Sequence, residues 1–141
     1  MGKRNIWARE ICLWIFMASH NSIRHFSQID IAPTVARTLG FLLPSTDGQP
    51  IDLVESWGCK NAAIIIIDSL GYDLFMWLRP GLENMSHLAD DGLLLRAKAV
   101  SNHTTPAIAS ILSGLTPLHH GIFDKAGAKT SSIPSLPEMA S

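Results

Sequence analysis

A run of apolar residues without polar alternation, at residues 62–67 (AAIIII), constrains the fold of this chain more than any other feature. β-Branched residues favour strands, and the absence of alternation is typical of a strand that is covered on both faces in a parallel sheet. The run ends abruptly at Asp68. We therefore expect a buried parallel strand at residues 62–67, with a carboxylate at its carboxyl end.

A helix and a second strand are predicted after this run. One helical face between residues 82 and 89 is apolar, and Gly92 follows where that helix would end. The apolar positions are Leu82, Met85, Leu88 and Ala89. Residues 93–100 (LLLRAKAV) return as a strand, so we expect a right-handed crossover unit in which the strands at 62–67 and 93–100 are parallel.

Two shorter helices are predicted on either side of this unit. Residues 30–40 begin with a capping-type acid and end with a glycine, which indicates a short helix. Another helix is expected from Thr105 or Pro106 to about Leu112, with its stop at Gly114. The chain is therefore expected to be an α/β protein with a mostly parallel sheet flanked by helices.

The composition supports one modest domain. With 141 residues, of which 47% are hydrophobic, the chain is long enough for one core and too short for two comfortable ones. Eleven basic and twelve acidic residues leave a formal charge of -1, which gives no reason to expect nucleic acid or an anionic membrane as a partner. Cys12 and Cys59 lack the spacing of metal ligands, and we expect both to be reduced, buried thiols.

The N-terminal region is apolar, but its apolar run is short. Lys3 and Arg4 resemble the basic region of a signal peptide, while no cleavage site of small residues follows them. Residues 11–18 provide about eight apolar positions, against roughly 20 for a membrane span. We expect a hydrophobic helix over residues 5–18 that packs on a partner chain, in a cytoplasmic protein; a signal or membrane anchor is the alternative.

Two polar positions fall where an open parallel sheet binds ligands, beyond the carboxyl ends of its strands. Asp68 directly follows the first predicted strand, where a carboxylate binds a metal, organises a phosphate site or caps a helix. Thr104 lies between the second strand and Pro106, where its hydroxyl would face the free N–H groups of a helix N-terminus. This place suits an anionic substrate and a developing alkoxide, although an ordinary N-cap at Thr104 or Thr105 fits the pattern too.

Three segments, in this order along the chain, resemble the N-terminal part of the alkaline phosphatase superfamily. They are residues 64–73 (IIIIDSLGYD), 88–100 (LADDGLLLRAKAV) and 103–122 (HTTPAIASILSGLTPLHHGI). The resemblance is closest to the type I phosphodiesterase and nucleotide pyrophosphatase branch, and it covers about residues 61–140. It implies an alkaline-phosphatase-like sandwich, of which this chain carries the nucleophile-bearing front portion.

The resemblance also implies an activity and roles for particular residues. Asp68 would bind one of two divalent metal ions, zinc or manganese, and Thr104, ten residues before Gly114, would be both a metal ligand and the nucleophile. The implied reaction is metal-dependent hydrolysis of phosphate mono- or diesters of a small molecule. Lys125 stands where that branch has an asparagine that binds the substrate phosphate, and His103 either contacts the same phosphate or packs within its loop.

Several other polar residues are expected to serve the fold. His119 and His120 precede Gly121 in a loop where the family keeps a His-Gly pair without using it as a ligand. We expect structural roles for both histidines. Asp73 is expected to cap or start a helix after Gly71.

A sulfatase-like or phosphomutase-like enzyme is an alternative on the same scaffold. Sulfatases of this superfamily usually have a pair of acids at the first metal site and a cysteine or serine as the modified nucleophile. Here Ser69 follows Asp68, and a threonine occupies the nucleophile position. The phosphoester branch is therefore preferred.

The order of the segments departs from the superfamily. Its remaining metal ligands come from segments far downstream, and we expect them beyond residue 141. Residues 28–50 resemble a segment that lies near the C-terminus in sulfatases and phosphodiesterases of the superfamily. We divide the chain into a hydrophobic extension at 1–22, a helix and linker at 23–60, and the front portion of the catalytic domain at 61–141.

The sequence leaves open whether this chain alone is an enzyme. The alternative from another class is a noncatalytic remnant or interaction module that joins a partner through its apolar N-terminus. A sheet that stops after its first strands exposes an edge, so we also expect self-association.

Overall fold

The strands of this chain are short, and those that the structure describes pair in parallel. The structure is a computed structural model that describes residues 11–12, 14–19, 26–52 and 60–141. Its strands are β1 (Ile11–Cys12), β2 (Trp14–Ser19), β3 (Phe26–Ser27), β4 (Asn61–Ala62) and β5 (Leu93–Lys98). β5 lies between β2 and β3 in a three-stranded sheet, while β1 pairs with β4. The register places Trp14 opposite Leu93 and Phe26 opposite Ala97.

Helices make up most of the remaining regular structure. They are α1 (Ile31–Thr38), α2 (Tyr72–Leu78), α3 (Glu83–Asp91), α4 (Thr104–Ser113), α5 (Pro117–His120), α6 (Lys125–Thr130) and α7 (Leu136–Ala140). The predicted helices at α1, α3 and α4 are confirmed, as is the strand at β5. Gly114 ends α4 in the left-handed conformation, with a φ of 74°, as expected for a glycine that terminates a helix. The chain is thus a mixed α/β protein with a small parallel sheet, as predicted.

The predicted N-terminal helix is wrong where the structure describes it. Residues 14–19 form β2, which pairs along its whole length with β5. The segment is rich in aromatic and β-branched residues, which favour a strand as soon as a pairing partner is present. The predictions for residues 1–10 and for Cys59 lie outside the described residues.

The strand predicted at residues 62–67 is also wrong. β4 ends at Ala62, and the isoleucines that follow are largely exposed to solvent, with Ile65 at 79% and Ile67 at 50%. β5, the strand expected beside this run, has β2 and β3 on its two edges. β5 pairs with β2 over Leu93–Lys98 and with β3 only at Ala97 and Lys98. The isoleucines are not among its described partners, so the predicted crossover unit does not form within the described residues.

The apolar core lies mainly between α1 and α4. Its buried members are Ile31, Ala32, Val35, Ala36, Ile111 and Leu136. A second cluster, around Phe75 and Ala89, joins α2 to α3 and includes Leu82 and Met85 at its margin, as predicted. Leu88 is exposed instead, so the expectation that it belongs to the apolar face is wrong. No helix among the described residues is long and apolar enough to cross a bilayer.

The segment around Gly48 joins the N-terminal half of the chain to the end of α4. The backbone N–H groups of Asp47 and Gly48 donate to the carbonyl of Gly114 at 2.9 and 3.1 Å. The Asp30 carboxylate accepts from the N–H of Gln49 at 2.9 Å. Gly48 itself packs so closely on the backbone that an added Cβ would lie 2.1 Å from the carbonyl oxygen of Ile29.

We therefore predict that Gly48→Ala destabilises the protein by about 2 kcal/mol or more, because a backbone group cannot move aside for the methyl as a flexible side chain would. Gly81→Ala is the matched control, since nothing lies within 4 Å of its added Cβ. Chemical denaturation of both variants measures the effect. Equal free energies of unfolding for Gly48→Ala and Gly81→Ala would contradict the prediction.

Candidate functional site

A cavity of about 620 Å³ lies where the loop after residue 65, the end of β5 and the start of α4 meet. Among the residues that line it are Asp68, Arg96 and Thr104. Gln28, from the N-terminal half of the chain, also reaches the cavity, and its side-chain carbonyl accepts from the N–H of Val100 at 3.3 Å. The size of this cavity is typical of a site for a small molecule.

Asp68 and Thr104, the two residues singled out in the sequence, meet in this cavity. The Thr104 hydroxyl donates to Oδ1 of Asp68 at 3.4 Å, across 36 positions of sequence. The same Asp68 oxygen accepts from the N–H of Ser69 at 3.0 Å, and Ser69 has a positive φ of 63°. A non-glycine residue in this conformation is strained, and such strain is commonly found at functional sites. Both partners are exposed to solvent, so a substrate can reach them.

The first turn of α4 adds backbone donors to the site. His103 is the N-cap, and its carbonyl accepts from the N–H of Ala107 at 3.1 Å. Within the described residues, the N–H groups of Thr104 and Thr105 have no acceptor, and Pro106 has no N–H group. Free donors at the positive end of a helix favour anions.

The two predicted phosphate contacts differ in their position. His103 lines the same cavity as Thr104, and its N–H donates to the hydroxyl of Ser101 at 3.0 Å. Lys125 is the first residue of α6, behind an N-cap in which Asp124 accepts from the N–H of Gly127 at 2.8 Å. Lys125 is exposed and is not among the described residues that line the cavity.

Residues 62–129 match the model of the family described as type I phosphodiesterase / nucleotide pyrophosphatase. This part of the chain is similar to that family. The match includes Asp68, Thr104 and Lys125, and it confirms the branch that the three sequence segments predicted. Neither a curated protein nor a solved structure shows a significant match to the chain.

Members of the type I phosphodiesterase family are generally metal-dependent, so a site of this kind needs donor atoms for a divalent cation. Asp68 and Thr104 offer a carboxylate and a hydroxyl, oxygen donors suited to a divalent cation. A protein site for zinc needs at least three protein ligands. No group of three or more His, Cys, Asp or Glu residues that could hold a metal occurs among the described residues. Among the described residues, the pair thus supplies two oxygen donors, one fewer than a site for a single ion needs.

Arg96 is a cavity residue that sequence reasoning missed. It extends from β5 and forms an ion pair with Asp73, with an Nη2 to Oδ1 distance of 3.2 Å. Its guanidinium carbon lies 4.9 Å from the centre of the Tyr72 ring. The signal for it was a charge within the otherwise apolar start of the strand at 93–100. Asp73 lies in the first turn of α2, whose N-cap is Gly71, in agreement with the helix start predicted there.

Behind the site, His120 supports α4 from its buried side. His120 is 4% exposed, its Nε2 lies 3.0 Å from the hydroxyl of Ser110, and its Nδ1 accepts from the N–H of Ile122 at 2.9 Å. Because Nδ1 is an acceptor, the ring proton is assigned to Nε2, which donates to Ser110. Burial lowers the pKa of His120 below its ordinary value. Its role in the described contacts is structural, as expected.

His119 and Asp47 form a neighbouring polar cluster. The Asp47 carboxylate accepts from the N–H and the hydroxyl of Thr116 at 2.7 and 2.8 Å, and its other oxygen lies 2.5 Å from Nδ1 of His119. Burial raises the pKa of Asp47, but the hydrogen bonds from Thr116 and His119 outweigh it, so that the pKa lies below its ordinary value. These bonds tie residues 45–50 to the loop after α4.

The lowered pKa of His120 predicts that the protein loses stability as the pH falls below 6.5, the ordinary pKa of histidine. The unfolded chain takes up the proton first, so the stabilisation is complete above 6.5 and declines from there towards the pKa of the folded state. Chemical denaturation from about pH 7.5 to about pH 5.5 measures the decline. It should be smaller in His120→Gln and unchanged in His87→Gln, since His87 is exposed on α3. The same decline in wild type and His120→Gln would refute the prediction.

Proposed function

We propose that this chain carries the nucleophile-bearing part of a metal-dependent phosphoester hydrolase, with Thr104 as the nucleophile. The supporting observation is the approach of the Thr104 hydroxyl to the Asp68 carboxylate at 3.4 Å, at the start of α4. This contact lies in a cavity of about 620 Å³ and within the residues that match the phosphodiesterase family. The substrate is a phosphate mono- or diester of a small molecule.

The chemistry of the proposed reaction follows from the groups at the start of α4. Thr104 Oγ attacks phosphorus, and the Oγ–P bond forms as the bond from phosphorus to the leaving oxygen breaks. The Thr104 hydroxyl proton, which is hydrogen-bonded to the Asp68 carboxylate, passes to solvent, and the leaving oxygen takes a proton from solvent. The free N–H groups of Thr104 and Thr105 stabilise the phosphoryl oxygens. Water then cleaves the Oγ–P bond and regenerates the threonine.

Metal ions of the kind that the family uses would bind at Asp68 and Thr104. Asp68 and Thr104 would be two ligands of one divalent ion, zinc or manganese. Such an ion, when bound, supplies Lewis-acid stabilisation of the charge on phosphorus-bound oxygens. A second ion, and the other ligands of the first, require residues outside the described set. His103 is proposed as a phosphate contact from within the cavity, and Lys125 as a point charge for the same phosphate.

A second candidate function is an interaction module that retains this part of the fold without catalysis. Large apolar side chains are exposed among the described residues, which favours binding to a partner or to a second copy. The most exposed are Leu42, Ile65, Trp77 and Leu118. This candidate and the hydrolase differ in whether turnover depends on the Thr104 hydroxyl.

We predict that Thr104→Ala lowers turnover of a p-nitrophenyl phosphodiester by the purified chain, with zinc or manganese, at least about 1,000-fold, because it removes the nucleophile. Thr104→Ser keeps a hydroxyl and should retain turnover within about tenfold. Thr105→Ala is the matched control, since it removes the neighbouring hydroxyl of the same helical turn. Turnover that is equal in wild type and Thr104→Ala would contradict the role of Thr104 as nucleophile and favour the interaction module.

Metal binding provides an independent test of the proposed role of Asp68. Calorimetric titration of the chain with zinc should show an affinity at least about tenfold weaker for Asp68→Asn, because the amide lacks the charge of the carboxylate. Asp91→Asn, at the end of α3 and outside the cavity, is the control and should bind zinc as wild type does. The ligand role of Asp68 fails if the two variants have the same affinity.

A further inference from the structure

Arg96 has a buried donor that its surroundings do not satisfy. Its side chain is 32% exposed, but its Nε atom is buried. Among the residues that the structure describes, no atom accepts a hydrogen bond from that Nε. Buried donors in folded proteins nearly always have a partner, so the guanidinium of this cavity residue has hydrogen-bonding capacity that its described neighbours leave unused.

Two neighbours hold the guanidinium in place without satisfying Nε. Nη2 donates to both oxygens of Asp73, at 3.2 and 3.4 Å. The guanidinium also lies over the ring of Tyr72, a contact that is favourable for a cation and sets the plane of the group. Asp73 is 79% exposed, and an ion pair with such an exposed partner adds little stability, so its carboxylate can give way to a ligand.

The position of Arg96 relates it to the proposed reaction. Arg96, Tyr72 and Asp73 line the same cavity as Asp68 and Thr104. With a volume of about 620 Å³, this cavity falls in the range of pockets that enclose whole small molecules. A substrate that reacts at Thr104 can therefore place another of its groups against Arg96.

We propose that Arg96 binds a second oxyanion of the substrate, a phosphate or a carboxylate, while the phosphoester reacts at Thr104. The planar fork of a guanidinium matches both kinds of oxyanion, and Nε is one of its donors. The substrate class is accordingly a small phosphoester that bears a further anionic group. This inference rests on the proposed function for the choice of Thr104 as the reacting end.

The test is calorimetric binding of three probes to the full chain in metal-free buffer: inorganic phosphate, inorganic pyrophosphate and phosphonoacetate. The last two carry a second oxyanion, a phosphate in one and a carboxylate in the other. Wild type should bind at least one of them more tightly than phosphate, and the tighter one identifies the second group. Arg96→Gln should bind that probe at least about tenfold more weakly, while its affinity for phosphate should stay within about twofold of wild type.

Two further variants keep the result interpretable. Arg96→Lys retains the charge but not the fork, and it should lose part of the preference for the two-anion probe. Arg79→Gln is the matched control, because Arg79 also pairs with an aspartate, Asp90, but lies outside this cavity. It should bind all three probes as wild type does.

Three results would overturn the proposal. The first is that wild type binds neither two-anion probe. The second is that it binds them no more tightly than phosphate. The third is that Arg96→Gln loses affinity for all three probes by the same factor. The preference should persist in Thr104→Ala, since anion binding at Arg96 does not need the hydroxyl. Failure of the proposed nucleophile, seen in turnover, is thereby distinguished from failure of the Arg96 site, seen in binding.

Discussion

The packing of α1 against α4 is the contact on which the rest of this structure depends. Apolar side chains such as Val35 and Ile111 meet in the core between the two helices, and the carbonyl of Gly114 receives two N–H groups from residues 47–48. Close-packed interiors resist displacement, so a helix held at its side and at its end presents its first turn at a defined place. Thr104 occupies that first turn. The segment that precedes the family region in sequence thus supports the proposed nucleophile.

The cavity at the start of α4 combines groups of opposite charge. Asp68 accepts from the proposed nucleophile. Arg96 lines the same cavity and has a buried donor without a partner among the described residues. In the proposed reaction, one group contacts the attacking hydroxyl and the other binds an anion. The left-handed turn at Ser69 and the stacking on Tyr72 are what position the two charged groups. The left-handed residue and the ring contact are each local features. The tertiary fold brings both of them to one cavity.

Much of the helical structure was predictable from the sequence, while the strand pairing was not. α3 and α4 follow from apolar periodicity and from glycines at their ends, signals that act within one or two turns. The isoleucines after Ala62 have the composition of a buried strand, yet Ile65 is exposed. Strand propensity requires a partner, and β5 is paired with β2 and β3 instead. Which segments pair with β5 is a tertiary property that no local pattern contains.

The sequence by itself determined the family resemblance of residues 62–129, the approximate limits of α4 and the identity of Asp68 and Thr104 as candidate site residues. These are matters of residue type and spacing, which the chain carries in any conformation. Only the tertiary structure decided that the two side chains come within 3.4 Å and that Lys125 lies apart from the cavity they share. It also decided that Arg96 keeps a buried donor without a partner among the described residues. Distances, burial and hydrogen bonding depend on which elements pack together, and packing is settled by the whole chain at once.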